Sequence, residues 1–137
     1  MNEDFITFEI AKKLKEKGFN CELPYAMYNE IGQFCLLTTS APYHVCESGY
    51  KCREYYNYND FDKNDFIAPT ISQVLKWLRE EKCLHIEIQY IFSEETIWEF
   101  EVVLIGSYER WWNESESLDS YEQAVIAGIE YVIDNLI

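Results

Sequence analysis

The sequence predicts an α+β domain in the order α-β-β-α-β-β-α, with helices packed on one face of a four-stranded, mainly antiparallel sheet. Three observations predict it. Residues 84–104 alternate apolar and polar side chains at the period of a strand, in two runs separated by a polar turn. Three other segments repeat apolar residues at helical spacing, with capping signals beside them. The 137 residues, 48% of them hydrophobic, are the size of one domain able to build a core without metal or disulfide. A single domain over residues 1–137 is expected, with an irregular loop at about 40–68.

The first helix is expected over residues 3–17, with Asn2 as its N-cap and Glu3 and Asp4 at the positive end of its dipole. Phe5, Phe8, Ile10, Ala11 and Leu14 form its apolar stripe. Lys12, Lys13, Lys15 and Lys17 crowd the last turn, where a helix dipole favours cations, and Gly18 supplies the stop. Two strands follow, at about 21–28 and 33–39, around the turn Asn29-Glu30-Ile31-Gly32. Pro24 points to an edge position or a bulge in the first of them. Residues 40–68 have no clear period, and a short strand or turn can hide within so long a stretch.

The second helix is the best marked. Thr70 and Gln73 have capping-box spacing, Ile71, Val74, Leu75 and Leu78 make the buried stripe, and Trp77 covers a flank. In the hairpin after it, Leu84, Ile86, Ile88, Tyr90 and Phe92 face one way, continued by Trp98, Phe100, Val102 and Leu104. His85, Glu87, Gln89, Glu99 and Glu101 face the other. A second loop spans 106–118. The last helix covers about 120–135, with Asp119 and Glu122 at N-cap and N3 spacing. Tyr121, Ala124, Val125, Ile129, Val132, Ile133 and Leu136 line its expected buried side, and Ala124 with Gly128 predicts close approach to another backbone. The two helix-plus-hairpin segments share an outline, as an αββ duplication would, with thin residue identity.

Charge is unevenly spread. Of the net −14, residues 84–137 hold 12 acids and one base, Arg110. A field of that sign repels phosphates, so no direct nucleic-acid binding is expected, and basic partners are attracted. The five cysteines are odd in number, the first residues are acidic, and no apolar run approaches the length that spans a bilayer. The expectation is a cytoplasmic protein with free thiols, no membrane contact and no cofactor. Cys21, Cys35 and Cys83 lie in or beside apolar runs, where a thiol behaves as a small hydrophobe.

Four candidate sites follow from residue types. Asp60, Asp62, Asn64 and Asp65 imitate the start of a calcium loop, but the required Gly at position six is Asp65 and the Glu at twelve is Ile71. His44, Cys46 and Cys52 lack the paired short spacing of a zinc site. His85, Glu87, Glu99 and Glu101 share the outer face of the hairpin, where carboxylates beside a histidine can do acid–base work or hold a ligand or metal and where any one-sided sheet also places polar residues. Tyr55, Tyr56 and Tyr58 in the first loop, and Tyr108, Trp111 and Trp112 with Glu114 and Glu116 in the second, fit an interface. The same aromatics can instead roof a core. No catalytic residues are assigned: serine-nucleophile, phosphate-loop and His-Glu-x-x-His motifs are all missing.

The segments Ala68-Pro69-Thr70, Trp77-Leu78-Arg79-Glu80 and Tyr121-Glu122 with Ala124 resemble a group of small uncharacterised bacterial proteins from phage-like and mobile-element neighbourhoods. The likeness covers roughly the C-terminal half. It implies a cytoplasmic accessory protein and assigns no site residues. The leading expectation is a non-enzymatic acidic protein that binds another, basic protein through its C-terminal half and aromatic loops. The alternatives are a small-ligand or metal-binding protein using the Asp60–Asp65 loop or the Glu87/Glu99/Glu101 face, a nucleic-acid mimic, and a homodimer formed through the hairpin edge.

Overall fold

The computed structural model describes residues 5–21, 25–36, 64–92, 96–112 and 118–137. The fold is α+β, with three helices and two three-stranded antiparallel sheets among these residues. The chain divides into two compact units, Met1–Val74 and Leu75–Ile137, and the boundary falls within the second helix. The element order is α-β-β-β-α-β-β-β-α. Two short strands, of two and three residues, are the elements beyond the expected order, and two sheets of three stand where one of four was expected. Runs that short show no periodicity, so only their pairing reveals them.

In the first unit, α1 (Phe8–Glu16) starts later than helical spacing predicts. Thr7 is the N-cap, its hydroxyl accepting from the Ile10 N–H at 3.4 Å. Phe5 and Ile6 are instead extended: Phe5 bridges Thr70, and the Ile6 N–H donates to the Pro69 carbonyl at 2.9 Å. Asn2, Glu3 and Asp4 lie outside the described residues. At the other end Gly18 has φ +81°, a left-handed value that suits glycine. Its N–H reaches the Lys15 carbonyl and the Phe19 N–H reaches the Leu14 carbonyl at 3.0 Å, with Leu14 and Phe19 both buried. That is a Schellman termination.

Strand β1 (Ala26–Tyr28) is buried along its length and pairs antiparallel with both β2 (Phe34–Leu36) and β3 (Phe66–Ile67). It is therefore the middle strand of its sheet and not an edge. Of the two expectations for Pro24, the edge position is not met because β3 pairs with the other side of β1, and the bulge would fall outside the described residues, where Pro24 itself lies. The turn between β1 and β2 is held by Asn29, whose side-chain oxygen accepts from the N–H groups of Ile31 and Gln33. Phe5, Phe8, Tyr28, Phe34 and Phe66 form a connected aromatic cluster, with ring centroids 5.0–5.6 Å apart. The buried Tyr28 hydroxyl donates to the Ile6 carbonyl at 2.6 Å. The helix lysines serve this cluster: Lys12 lies over Phe8, and Lys15 lies over Phe66 while donating to the Asp65 carbonyl.

Helix α2 (Ile71–Glu81) has the expected capping box: the Gln73 N–H donates to the Thr70 hydroxyl, and the Thr70 N–H donates to the Gln73 side chain. Its C-terminal neighbour Cys83 has φ +56° and is exposed. The expectation of a small buried hydrophobe is met by Cys35, which is buried, and not by Cys83. Burial pushes the Cys21 thiol up to about 11, which keeps it neutral and unreactive near pH 7.

The second unit is built on β4 (Leu84–Phe92) and β5 (Thr96–Leu104), paired over nine positions, with β6 (Arg110–Trp112) added along the far side of β5. The strand order β4-β5-β6 differs from β2-β1-β3, so the two sheets do not share a topology. Helix α3 (Tyr121–Asn135) is capped by Ser120, whose hydroxyl accepts from the Gln123 N–H, while the Gln123 side chain accepts from the Asp119 N–H. The cap is thus one residue later than Asp119 and Glu122 indicate, because Ser120 is the residue in extended conformation. Ala124, Val125, Gly128, Ile129, Val132 and Ile133 are buried. Tyr121 is about half exposed, against expectation, and packs edge-on to Trp98. Gly128 does mark a close approach, but to side chains of the sheet and not to another backbone. A Cβ there would stand 2.8 Å from the Ile86 γ2 methyl and 3.4 Å from Phe100.

Two substitutions test this packing. Gly128→Ala gains about 1 kcal/mol of helix propensity, but Ile86 is β-branched and cannot swing its methyl away. Overpacking costs ~1–3 kcal/mol, so urea unfolding should show a net loss of about 1 kcal/mol, and a gain would contradict the contact. Cys83→Gly should raise stability by about 1 kcal/mol by relieving the left-handed backbone. Cys83→Ala should give no such gain.

Candidate functional site

The wet face of the β4-β5-β6 sheet is the one predicted site that the described residues assemble. Strand alternation sends Leu84, Ile86, Phe100 and Val102 to the buried side and His85, Glu87, Gln89, Glu99 and Glu101 to the other. The register sets Glu87 directly across from Glu101, and Gln89 across from Glu99. Two carboxylates facing each other across strands repel. The neighbouring strand answers that repulsion. Val103 pairs with Arg110 and Glu101 with Trp112, which puts the guanidinium on the same face.

Arg110 Nη1 donates to Glu101 Oε1 at 2.9 Å and lies 3.9 Å from Glu87 Oε2. Gln89 Nε2 donates to the other Glu101 oxygen at 3.0 Å. Glu101 is thereby more enclosed than Glu87, with 16% of its side chain exposed against 44%. The pKa of Arg110 is raised, first by its hydrogen bond to Glu101, then by the Glu101 charge and to a smaller extent by Glu87. His85 Nε2 stands 4.0 Å from Glu87 Oε1. The cation between Glu87 and Glu101 is thus the chain's own arginine. Among the described residues no three His, Cys, Asp or Glu side chains converge as metal ligands.

The aromatic residues of the second loop do not form one patch. Trp111 and Trp112 are consecutive in β6, so they point to opposite sides of the sheet. Trp112 joins the acidic face beside Glu101 and is 53% exposed. Trp111 turns to the other side, where it lines an open groove of about 570 Å³ with Leu84, Leu104 and Leu136. Tyr108 is fully exposed in the turn between β5 and β6. Glu114 and Glu116 lie outside the described residues, as do Tyr55, Tyr56, Tyr58, His44, Cys46, Cys52, Asp60 and Asp62. Of the calcium-loop candidates, Asn64 is exposed in a turn. Asp65 is buried, and its backbone oxygen meets the Lys15 ammonium.

Arg110 and Gln89 are the members that residue types alone do not single out. Arg110 is visible as the lone base of residues 84–137, but its role depends on the pairing of β6 with β5. The signal was the turn between them, where Gly106 takes φ +84° and the Leu104 N–H donates to the Glu109 carbonyl. No family model, curated protein or solved structure matches this chain.

Removing the guanidinium tests the site's electrostatics. Arg110→Ala leaves Glu87 and Glu101 face to face, so the melting temperature should fall at low ionic strength. Salt at about 1 M screens beyond ~3 Å and should recover most of the loss. A salt-independent change would contradict the assignment.

Proposed function

We propose that this chain is an acidic accessory protein without catalytic activity, which binds a basic protein through the wet face of its second sheet. The observation that supports the reading most strongly is the composition of that face. Glu87 and Glu101 stand in register beside a single cation, Arg110, with Glu99 further along the same face and the half-exposed Trp112 beside Glu101. Arg110 neutralises part of this charge, and residues 84–137 still carry a net −11. An exposed indole next to carboxylates suits a lysine or arginine side chain: the ring face attracts the cation and the carboxylates complete its hydrogen bonds. Charge of this kind speeds encounter and selects partners more than it adds affinity, which leaves Trp112 as the anchor.

The test is affinity capture from the host cell with nuclease treatment, followed by dissociation constants for the purified partner. Trp112→Ala should weaken binding at least tenfold, which is about 1.4 kcal/mol. Glu99→Lys should do the same while slowing association, and both variants should keep their melting temperatures. Unchanged affinity in both would overturn the proposal.

A further inference from the structure

The second sheet has two edges, and they differ. The β6 edge is three residues long. The β5 backbone near it is also occupied further along, since the Trp98 N–H donates to the Leu118 carbonyl at 3.0 Å. The β4 edge is nine residues long, and among the described residues no strand pairs with its outer side. Natural edges of this length are usually blunted by a proline, a lysine or a bulge. Residues 84–92 contain neither proline nor lysine, and their pairing with β5 runs without interruption.

Two hydrogen bonds set the phase of this edge. The Ile105 N–H donates to the Cys83 carbonyl at 2.8 Å, which makes that opposed pair a hydrogen-bonded one. In an antiparallel ladder bonded and non-bonded pairs alternate. His85, Glu87, Gln89 and Ile91 therefore direct their N–H and C=O groups at β5. Ile86, Ile88 and Tyr90 direct theirs away from it. The Trp98 bond to Leu118 agrees independently, because Trp98 is opposite Tyr90 and its N–H points away from β4. The outward row thus belongs to residues whose side chains face the apolar side. The wet side of the same edge carries Glu87 between His85 and Gln89. Glu87 is also the less satisfied of the two facing carboxylates, since Arg110 reaches it only at 3.9 Å.

We infer that the partner contributes an extended segment that adds to the sheet as a strand antiparallel to β4, with basic residues at alternate positions. This rests on the reading of the acidic face given above and specifies how that face is engaged. Backbone groups of Ile86, Ile88 and Tyr90 supply the ladder, and a lysine or arginine opposite Glu87 supplies the selectivity. The intervening partner residues are apolar, because they fall on the side of Ile86 and Ile88. Charge argues for a basic occupant over a second copy of this chain, whose corresponding region would bring its own net −11.

The probe is a blocked nine-residue peptide alternating valine and lysine, tested against the full chain by fluorescence polarisation and amide hydrogen exchange. In the proposed register the valine N–H groups bond to β4 and the lysine N–H groups point to solvent. N-methylation of the valines should weaken binding at least tenfold. N-methylation of the lysines should be tolerated. The amides of Ile86, Ile88 and Tyr90 should slow their exchange on binding. If both methylated peptides bind as well as the parent, strand addition is wrong while the acidic face still binds basic segments by charge. If the unmodified peptide does not bind, and a basic partner captured from cells still depends on Trp112 and Glu99, strand addition is again wrong and the face survives. If that dependence is missing as well, both fail.

Discussion

The nine-position register between β4 and β5 is the constraint on which the rest of the second unit depends. Side chains alternate across a strand, so one register assigns every residue of the hairpin to a face at once. On one face it delivers Ile86, Phe100 and Val102 to α3, close enough that only a glycine at 128 fits over Ile86. On the other it lines up Glu87 with Glu101 and leaves them to be reconciled by Arg110. A slip of one residue would bury the carboxylates and expose the core side chains. The buried and acidic faces are therefore two consequences of one pairing.

The first unit is organised differently. Its sheet is small, and its cohesion comes from the ring cluster of Phe5, Phe8, Tyr28, Phe34 and Phe66, with α1 docked through Phe8. The lysines at the end of α1 are drawn to the rim of that cluster, where their stems cover rings and Lys15 satisfies a carbonyl. The lysines assigned to the helix dipole thus also include two, Lys12 and Lys15, that cover rings of the cluster. The acidic face is built differently. It carries more charge than a single arginine neutralises, and it keeps an exposed indole that contributes little to the core.

Much of this was legible in the residues. The period-two runs fixed which face each hairpin residue takes, although among the described residues of the inner face only Leu84, Ile86, Phe100 and Val102 are buried and Tyr90 is half exposed. Thr70 with Gln73 marked the start of α2, and Gly18 marked the end of α1. What escaped had a physical cause in each case. Strands of two and three residues, Phe66–Ile67 and Arg110–Trp112, are too short to show a period. The start of α1 was misplaced because Phe5 and Ile6 match a helical stripe yet pair as extended chain with Pro69 and Thr70. Trp111 and Trp112 read as one cluster until β6 became visible as a strand that must part them. The acidic face was foreseen as a row of glutamates, while the arginine at its centre required knowing which strand lies beside β5.

Among the described residues the register leaves the outer side of β4 without a paired strand, and residue-resolved hydrogen exchange on the free protein shows whether that edge is open. Exchange should alternate along β4: slow at His85, Glu87, Gln89 and Ile91, whose N–H groups bond to β5, and fast at Ile86, Ile88 and Tyr90. Uniform protection of all seven would mean that the edge is already covered. Alternation of the opposite phase would mean that the backbone bonds are shifted by one residue and that the proposed row of edge donors is wrong.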